Sequence, residues 1–504
     1  MSGKRKPWKA NIAYDRFGRE TSRIMSGCVK NTMQYDNVGR PAHQRVRHNG
    51  RTLLDKSYLW GDNLRLLQTL DTINRRSVRY DYDTFGSLSG AVYGDGSRQW
   101  RNPDLMGNVY NSPDRTDRSY GRGGQMREDK KWRYYYDSHG NLVLKTMRRS
   151  GPSLETGMWD EFLAWQSGDY AYTWQGNGML RSVTRPDGKT VTFRYDALGR
   201  RIEKVFDGRV YRYLWDGDVI LHEWDYAEAD RPNTIVTETG EVTLDRPEPV
   251  ENLITWVYDS DSYVPTAKIV GERHYSIISD YIGRPVQAYD DNGNIVWQAD
   301  YDIYGNLRNR KGIRDFIPFR QLGQYEDNET GLYYNRFRYY DPRIGNYISQ
   351  DPIRLAGGNP TIYGYVKDLN SWVDSFGLEN IIFTSSDGFT LEVRNVQDLS
   401  HLSNREILDI YHANNNPKGY GKSPKHANGD TIILHHQKQN HLGPVIEMPN
   451  SGHVRGLGNK KMHPYFPNPH PTNPVDRDVF NNWKKEYWKY RAETEIKKRG
   501  LSYN

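Results

Sequence analysis

The pattern of apolar and polar positions divides this chain in two. Over the first three-quarters, runs of about five residues alternate in character, as in Val191-Thr-Phe-Arg-Tyr195 and Arg201-Ile-Glu-Lys-Val205, with Gly-containing turns between them. Such alternation turns successive side chains to opposite faces, so the runs predict short strands joined into hairpins. After Leu378 the period changes. Leu402, Ile407, Leu408 and Tyr411 follow helical spacing within Leu399 to Tyr411, with Ser403 or Asn404 placed as the cap. Phe480, Trp483, Tyr487 and Thr494 stripe a closing helix from Asp476 to Lys498. Between them, the β-branched run from Thr431 to Leu434 predicts a strand that ends on His435 and His436, and Val445 to Met448 predicts a second. Residues 414–430 and 449–474 read as loops.

A six-residue signature punctuates the front part: Tyr14-Asp-Arg-Phe-Gly-Arg19, Tyr35-Asp-Asn-Val-Gly-Arg40, Tyr82-Asp-Thr-Phe-Gly-Ser87, Tyr195-Asp-Ala-Leu-Gly-Arg200 and Tyr301-Asp-Ile-Tyr-Gly-Asn306 are five of its copies. Degenerate copies begin at Tyr58, Tyr172 and Tyr213. One hairpin cannot bury its own face, so units repeated at this spacing must stack into a continuous sheet. The Tyr is then a packing ring and the Asp an Asx-type cap on the turn, not chemistry. From Tyr226 to Pro265 the repeat fades, and the acidic, Pro-containing stretch from Thr234 to Val250 reads as a loop or lid.

Composition agrees with this texture. Gly numbers 46 and Tyr 38 in 504 residues, and aromatics at 13% exclude a disordered chain. One cysteine, Cys28, excludes an internal disulfide framework and a cysteine-based zinc site. No run of about 18 apolar residues occurs, so no membrane-spanning helix is expected, and the basic N-terminus lacks the apolar stretch of a signal peptide. The net charge of +7 is uneven, since 17 Lys and Arg against 13 Asp and Glu follow Leu378. That is a mild bias towards anionic partners.

The repeat resembles the Rhs or YD-repeat family, and the segment Gly331-Leu-Tyr-Tyr-Asn-Arg-Phe-Arg-Tyr-Tyr-Asp-Pro342, continuing to Pro352, looks like its Rhs-associated core. The resemblance implies a mainly β fold: a hollow spiral sheet of YD hairpins, followed by a small α+β domain. The expected divisions are 1–322 for the repeats, 323–378 for the core and 379–504 for the tail. It also implies self-cleavage after Leu378 by two aspartates, which fall on Asp351 and Asp374. Two departures stand against the family pattern: Ser375 in place of a proline, and Leu369 where an upstream proline is usual. The chain starts in mid-repeat, which reads as a fragment or an orphan of a longer product.

The chemistry gathers in the tail. Nine of the 14 histidines fall between His401 and His470. Leu434-His-His436, the strand to Met448, His453 and His463 resemble the LHH nucleases of the HNH/endonuclease VII superfamily, whose domain is of the ββα-metal type. Neighbouring strand residues face opposite ways, so His435 and His436 take separate tasks more naturally than they share one ion. By superfamily analogy His435 is the metal ligand and His436 the general base. His463, His453 and Asn459 complete the ligand set, and Asn450 orients the base. Lys438, Arg455, Lys460 and Lys461 either contact phosphates or form a solvated face. Glu447 is either a ligand or a strand-edge carboxylate. His401, His412, His426, His441 and His470 read as surface or loop residues.

The function implied is an antibacterial toxin whose shell encloses a divalent-metal-dependent endonuclease acting on DNA. Zinc or nickel suits histidine ligands and magnesium suits cellular supply. The implied partners are a cognate immunity protein and the components of a type VI secretion apparatus, with export from the bacterial cytoplasm into a target cell. The alternative is a YD-repeat adhesion or scaffold protein with a structural metal at the histidines.

Overall fold

A computed structural model describes the chain except residues 1–6, 18, 62–64, 148–163, 260–261, 353–360, 376, 378–380, 388, 395–396, 398, 400, 420, 427–428, 437–440, 442–444, 451–467, 471–473, 500 and 504. It forms two compact units. One comprises Met1–Gln350 with Tyr363–Gly377, and the other Asp351–Ile362 with Leu378–Asn504. No helix among the described residues is long and apolar enough to cross a membrane.

The first unit is mainly β. A nine-stranded antiparallel sheet runs from Ala10–Tyr14 to Arg98–Trp100, and a sixteen-stranded one from Arg118–Tyr120 to Leu307–Lys311. In each, strands adjacent in sequence are adjacent in space, as stacked hairpins require. The stretch expected as a loop or lid makes a small exposed hairpin instead, Thr234–Val236 against Val242–Leu244. Its alternating Thr, Ile and Val residues favour extended backbone over coil.

The signature is a turn whose carboxylate organises the backbone. Asp196 Oδ1 accepts the Leu198 and Arg200 amides, both at 2.9 Å, and Oδ2 pairs with Arg200 Nε at 2.6 Å. Asp36, Asp83, Asp137, Asp290 and Asp302 repeat the two amide bonds. The signature tyrosine then ties one hairpin to the one before it. Tyr35 Oη donates to the Glu20 carbonyl at 2.9 Å, Tyr195 to Leu180 at 2.8 Å and Tyr301 to Pro285 at 2.7 Å. A register shift falls beside each of Tyr35, Tyr82 and Tyr195, where a bulge re-aims the ring. In the degenerate copies the tyrosine's place is taken by Trp60, Trp174 and Trp215. Their indole N–H groups donate to Pro41, Leu142 and Arg201 carbonyls. Tyr58, Tyr172 and Tyr213, from which those copies were counted, are buried two residues earlier.

Residues 325–347 form a four-stranded sheet whose strands carry the buried charged side chains of Glu326, Asp327, Arg338 and Asp341. Asp327 pairs with Arg201 at 2.6 Å, and Asp341 with Lys145 at 3.0 Å, all four side chains essentially inaccessible. The neighbouring cations Arg343 and Lys145 hold the Asp341 carboxyl far below the usual range against the opposing effect of burial. Tyr333, Tyr340, Tyr347, Tyr365 and Leu369 pack together alongside. Gly323 is obligatory: with φ at +85°, an added Cβ would lie 2.2 Å from the Ser375 carbonyl oxygen.

The second unit is α+β. Its sheet contains Ile381–Thr384, Thr390–Arg394, Val445–Pro449 and Ile432–His436 in that spatial order, with the middle pair parallel. The first two strands lie in a region with no sequence expectation of structure. The helix Asn404–Asn415 begins one turn later than its apolar spacing allows, because Ser403 and Glu406 form a capping box. The helix Arg477–Arg499 supplies Phe480, Trp483, Tyr487, Trp488, Ala492 and Ile496 to the core.

Replacing Asp196 by Ala removes two charge-assisted amide bonds and should lower stability by about 1–3 kcal/mol, read as a shifted urea midpoint. Asp196→Asn keeps an acceptor and should lose less.

Candidate active site

The strand Ile432–His436 pairs antiparallel with Val445–Pro449, setting Leu434 opposite Glu447, His435 opposite Ile446 and His436 opposite Val445. Both histidines lie within the strand rather than beyond its end. Alternation puts His436 on the face of Ile432 and Leu434, which packs on the closing helix, and His435 on the face of Ile433. Each is only 6% exposed.

His436 packs its ring edge-on to Phe480, with centroids 4.0 Å apart. Its Nε2 has no hydrogen-bond partner among the described residues. Burial above all, with the neighbouring His441, Arg477 and His435 opposing a further proton, pushes the imidazole down to about 3. The ring is therefore neutral at physiological pH, with one nitrogen lone pair available as a base or a ligand.

Glu447 is neither of the things its position in the sequence offered. It is fully buried on the helix-packed face, where it accepts from Arg491 and the Tyr487 hydroxyl, and from the Gln397 amide at 2.6 Å. Arg491 Nη2 also donates to the Gln397 carbonyl at 2.6 Å. This buried pair is structural. Its partners lie 44 and 50 positions away, so no local signal announces it.

The structure does not bring Asn450 to the base. Its amide donates to the Thr431 carbonyl at the opposite end of the two-strand ladder, five residues past the partner of His436. By strand rise that is roughly 16 Å, too far for a direct hydrogen bond. His453, Asn459 and His463, together with Lys438, Arg455, Lys460 and Lys461, lie outside the described residues. Among the described residues no group of three or more His, Cys, Asp or Glu is placed to hold a metal. The described part of the site thus supplies neutral imidazole, a good donor for a divalent cation, but not a whole ligand set.

Sequence reading missed one histidine beside the site. His441 stands 6.4 Å from His436 between ring centroids and stacks on Phe389. Nothing in its sequence setting separates it from the loop histidines. Its position follows from the fold that brings residues 389, 436 and 476 together.

Of the aspartates assigned to self-cleavage, Asp374 is buried in the first unit. Its carboxylate accepts from the Tyr347 hydroxyl at 2.7 Å and from Arg338 Nη2 at 3.3 Å. Asp351 is buried too, its amide donating to the Ile362 carbonyl at 2.8 Å. Leu378 lies outside the described residues.

Breaking the buried pair by Arg491→Ala leaves Glu447 uncompensated, so the second unit should lose about 3–5 kcal/mol in a denaturation followed by tryptophan fluorescence. The double change to Met at 491 and Gln at 447 should cost less than the single one.

Comparison with known proteins follows the same division. Residues 413–494 match a family described as a nuclease of the HNH/ENDO VII superfamily with conserved LHH. Double-stranded DNA deaminase toxin A of Burkholderia cenocepacia is 30% identical over 411 residues, covering 73% of this chain and 26% of that protein. Probable deoxyribonuclease RhsA of Dickeya dadantii is 28% identical over 389 residues, covering 73% and 24%. The chain thus spans about a quarter of the length of these curated relatives. Among solved structures, the Tc holotoxin pore of Photorhabdus luminescens matches 76% of this chain and 22% of its own, at 16% identity and a TM-score of 0.39. Residues 10–356 match the family described as Teneurin YD-shell, and with well over half of its length accounted for in this way, the chain belongs to that family.

Proposed function

We propose that the chain is a YD-repeat antibacterial toxin whose second unit is a metal-dependent endonuclease that hydrolyses phosphodiester bonds, with DNA as the substrate. The observation that carries this reading is His436: a neutral, buried imidazole with an unpartnered nitrogen, inside the segment matched to the LHH nucleases.

The chemistry follows from the residues. Hydrolysis needs a water deprotonated as it attacks phosphorus, charge stabilisation at the phosphorane, and a proton for the departing oxygen. His436 Nε2 takes the water's proton. In the free protein this ring is a weak base, since it lies far below its ordinary range. A phosphodiester anion bound beside it opposes the positive fields and raises its proton affinity. Phe480 fixes the ring plane, so the nitrogen is aimed before substrate arrives. His435, on the other face of the strand, is assigned to the ion, with His463, His453 and Asn459 as further ligands. The ion, when bound, supplies Lewis-acid stabilisation of the phosphorane charge.

The remaining parts are proposed on family grounds. The divisions into repeats (1–322), core (323–378) and tail (379–504), cleavage after Leu378 by Asp351 and Asp374, a cognate immunity protein, and export through a type VI apparatus into a target cell all belong to this reading.

Purified full-length chain should nick supercoiled plasmid in the presence of a divalent ion, and excess chelator should stop it. His436→Ala should slow cutting by about 10²-fold or more, the usual contribution of a general base. His435→Ala should instead raise the ion concentration needed for half-maximal cutting. Equal cutting by all three proteins would end the assignment of the chemistry to these two histidines, and no cutting by wild type would end the nuclease reading.

Self-cleavage is read on a denaturing gel. Wild type should run as two fragments and Asp374→Asn as one band at 58.8 kDa. A single band at that mass from wild type would reject it.

A further inference from the structure

His441 has a geometry that a loop residue does not need. Its Nδ1 accepts the backbone N–H of Asp476 at 3.3 Å. Asp476 is itself held in place, because its Oδ1 caps the closing helix through the Asp478 and Val479 amides at 3.0 and 3.1 Å. On one face the imidazole stacks on Phe389, with centroids 4.6 Å apart and planes 13° from parallel. Two independent elements therefore fix it, the start of a helix and an aromatic platform. An imidazole that accepts at Nδ1 carries a proton on Nε2, so the far edge of this ring is a hydrogen-bond donor.

Across from it, at 6.4 Å between centroids, lies His436, whose Nε2 is unpartnered among the described residues although the side chain is more than nine-tenths buried. The two imidazoles are thereby held as neighbours, one with a donor at Nε2 and the other with an unpartnered Nε2. Arg477, the first residue of the closing helix, adds positive charge to the same locality. The pairing suits an anion better than it suits a cation. An Nε2–H cannot ligate a metal, and the guanidinium repels one.

We propose that His441 is a second catalytic histidine, whose Nε2–H donates to a non-bridging oxygen of the phosphate on which His436 acts. The proposal rests on the nuclease reading above. It assigns His441 to substrate rather than to the metal, and to a donor's task rather than a base's. As the oxygen gains charge in the phosphorane the hydrogen bond strengthens, so the contribution falls on the rate constant more than on binding.

The test compares two amides in the full-length chain with supercoiled plasmid as the probe. Gln sets its amide nitrogen where His carries Nε2, and so keeps the distal donor. Asn reaches only as far as Nδ1, so it keeps a partner for the Asp476 amide but loses the distal donor. His441→Asn should lower kcat by about 10²-fold with little change in KM, and His441→Gln should remain within about fivefold of wild type. Both are assayed at a temperature where circular dichroism shows them folded. Full activity in His441→Asn would overturn the proposal, as would an equal loss in both variants, which would mean that only packing on Phe389 had been disturbed. If wild type cuts and His436→Ala cuts equally well, the nuclease centre lies elsewhere and both assignments fall. If wild type cuts nothing, the nuclease reading fails and this inference with it.

Discussion

The first unit depends on a carboxylate that satisfies two backbone amides at the signature turns. A tight turn leaves N–H groups pointing inward with no strand to pair them, and an unpaired buried amide costs as much as a lost hydrogen bond. Asp at the second position of each signature removes that cost within four residues, as Asp36 does for Val38 and Arg40. The turn then closes without help from elsewhere. The closed turn sets the adjacent ring against the preceding hairpin, so the local device makes the long-range stacking regular.

Stacking alone leaves the inner faces to be filled, and the segment around 325–347 fills them in an unusual way. It presents Asp327 and Asp341 to buried Arg201 and Lys145 rather than an apolar face. Buried pairs of this kind add little net stability over apolar packing, but a misplaced one leaves a bare charge in low dielectric. That asymmetry suits them to fixing one register of the small sheet against the repeats. The same argument applies in the second unit, where Glu447 and Arg491 fasten the central strand to the closing helix. A rigid strand is what a site on its next-door neighbour requires. His435 and His436 sit on a strand whose partner is pinned through its centre. The opposite facing of the two imidazoles is what the proposed division of ion binding from proton transfer rests on.

Much of this was legible without coordinates. Period-two runs and the Tyr-Asp-x-x-Gly signature determined the hairpin architecture and the structural role of the Asp, because both are local: the turn amides lie two and four residues from the carboxylate that caps them. The change of period after Leu378 and the adjacent histidines marked a separate unit with chemistry in it. What tertiary structure decided was everything whose partner is distant in sequence. It replaced Tyr58, Tyr172 and Tyr213 by Trp60, Trp174 and Trp215 as the tying groups, since any ring with an N–H or O–H at that height will do. It turned Glu447 from a candidate ligand into an ion-pair anchor through Arg491, and it carried Asn450 to the wrong end of the ladder. It drew His441 out of the loops to stand beside His436. A side chain's chemistry is written in its residue type, but whether that chemistry is spent on the core or left for a substrate depends on what the fold places within about 3 Å of it.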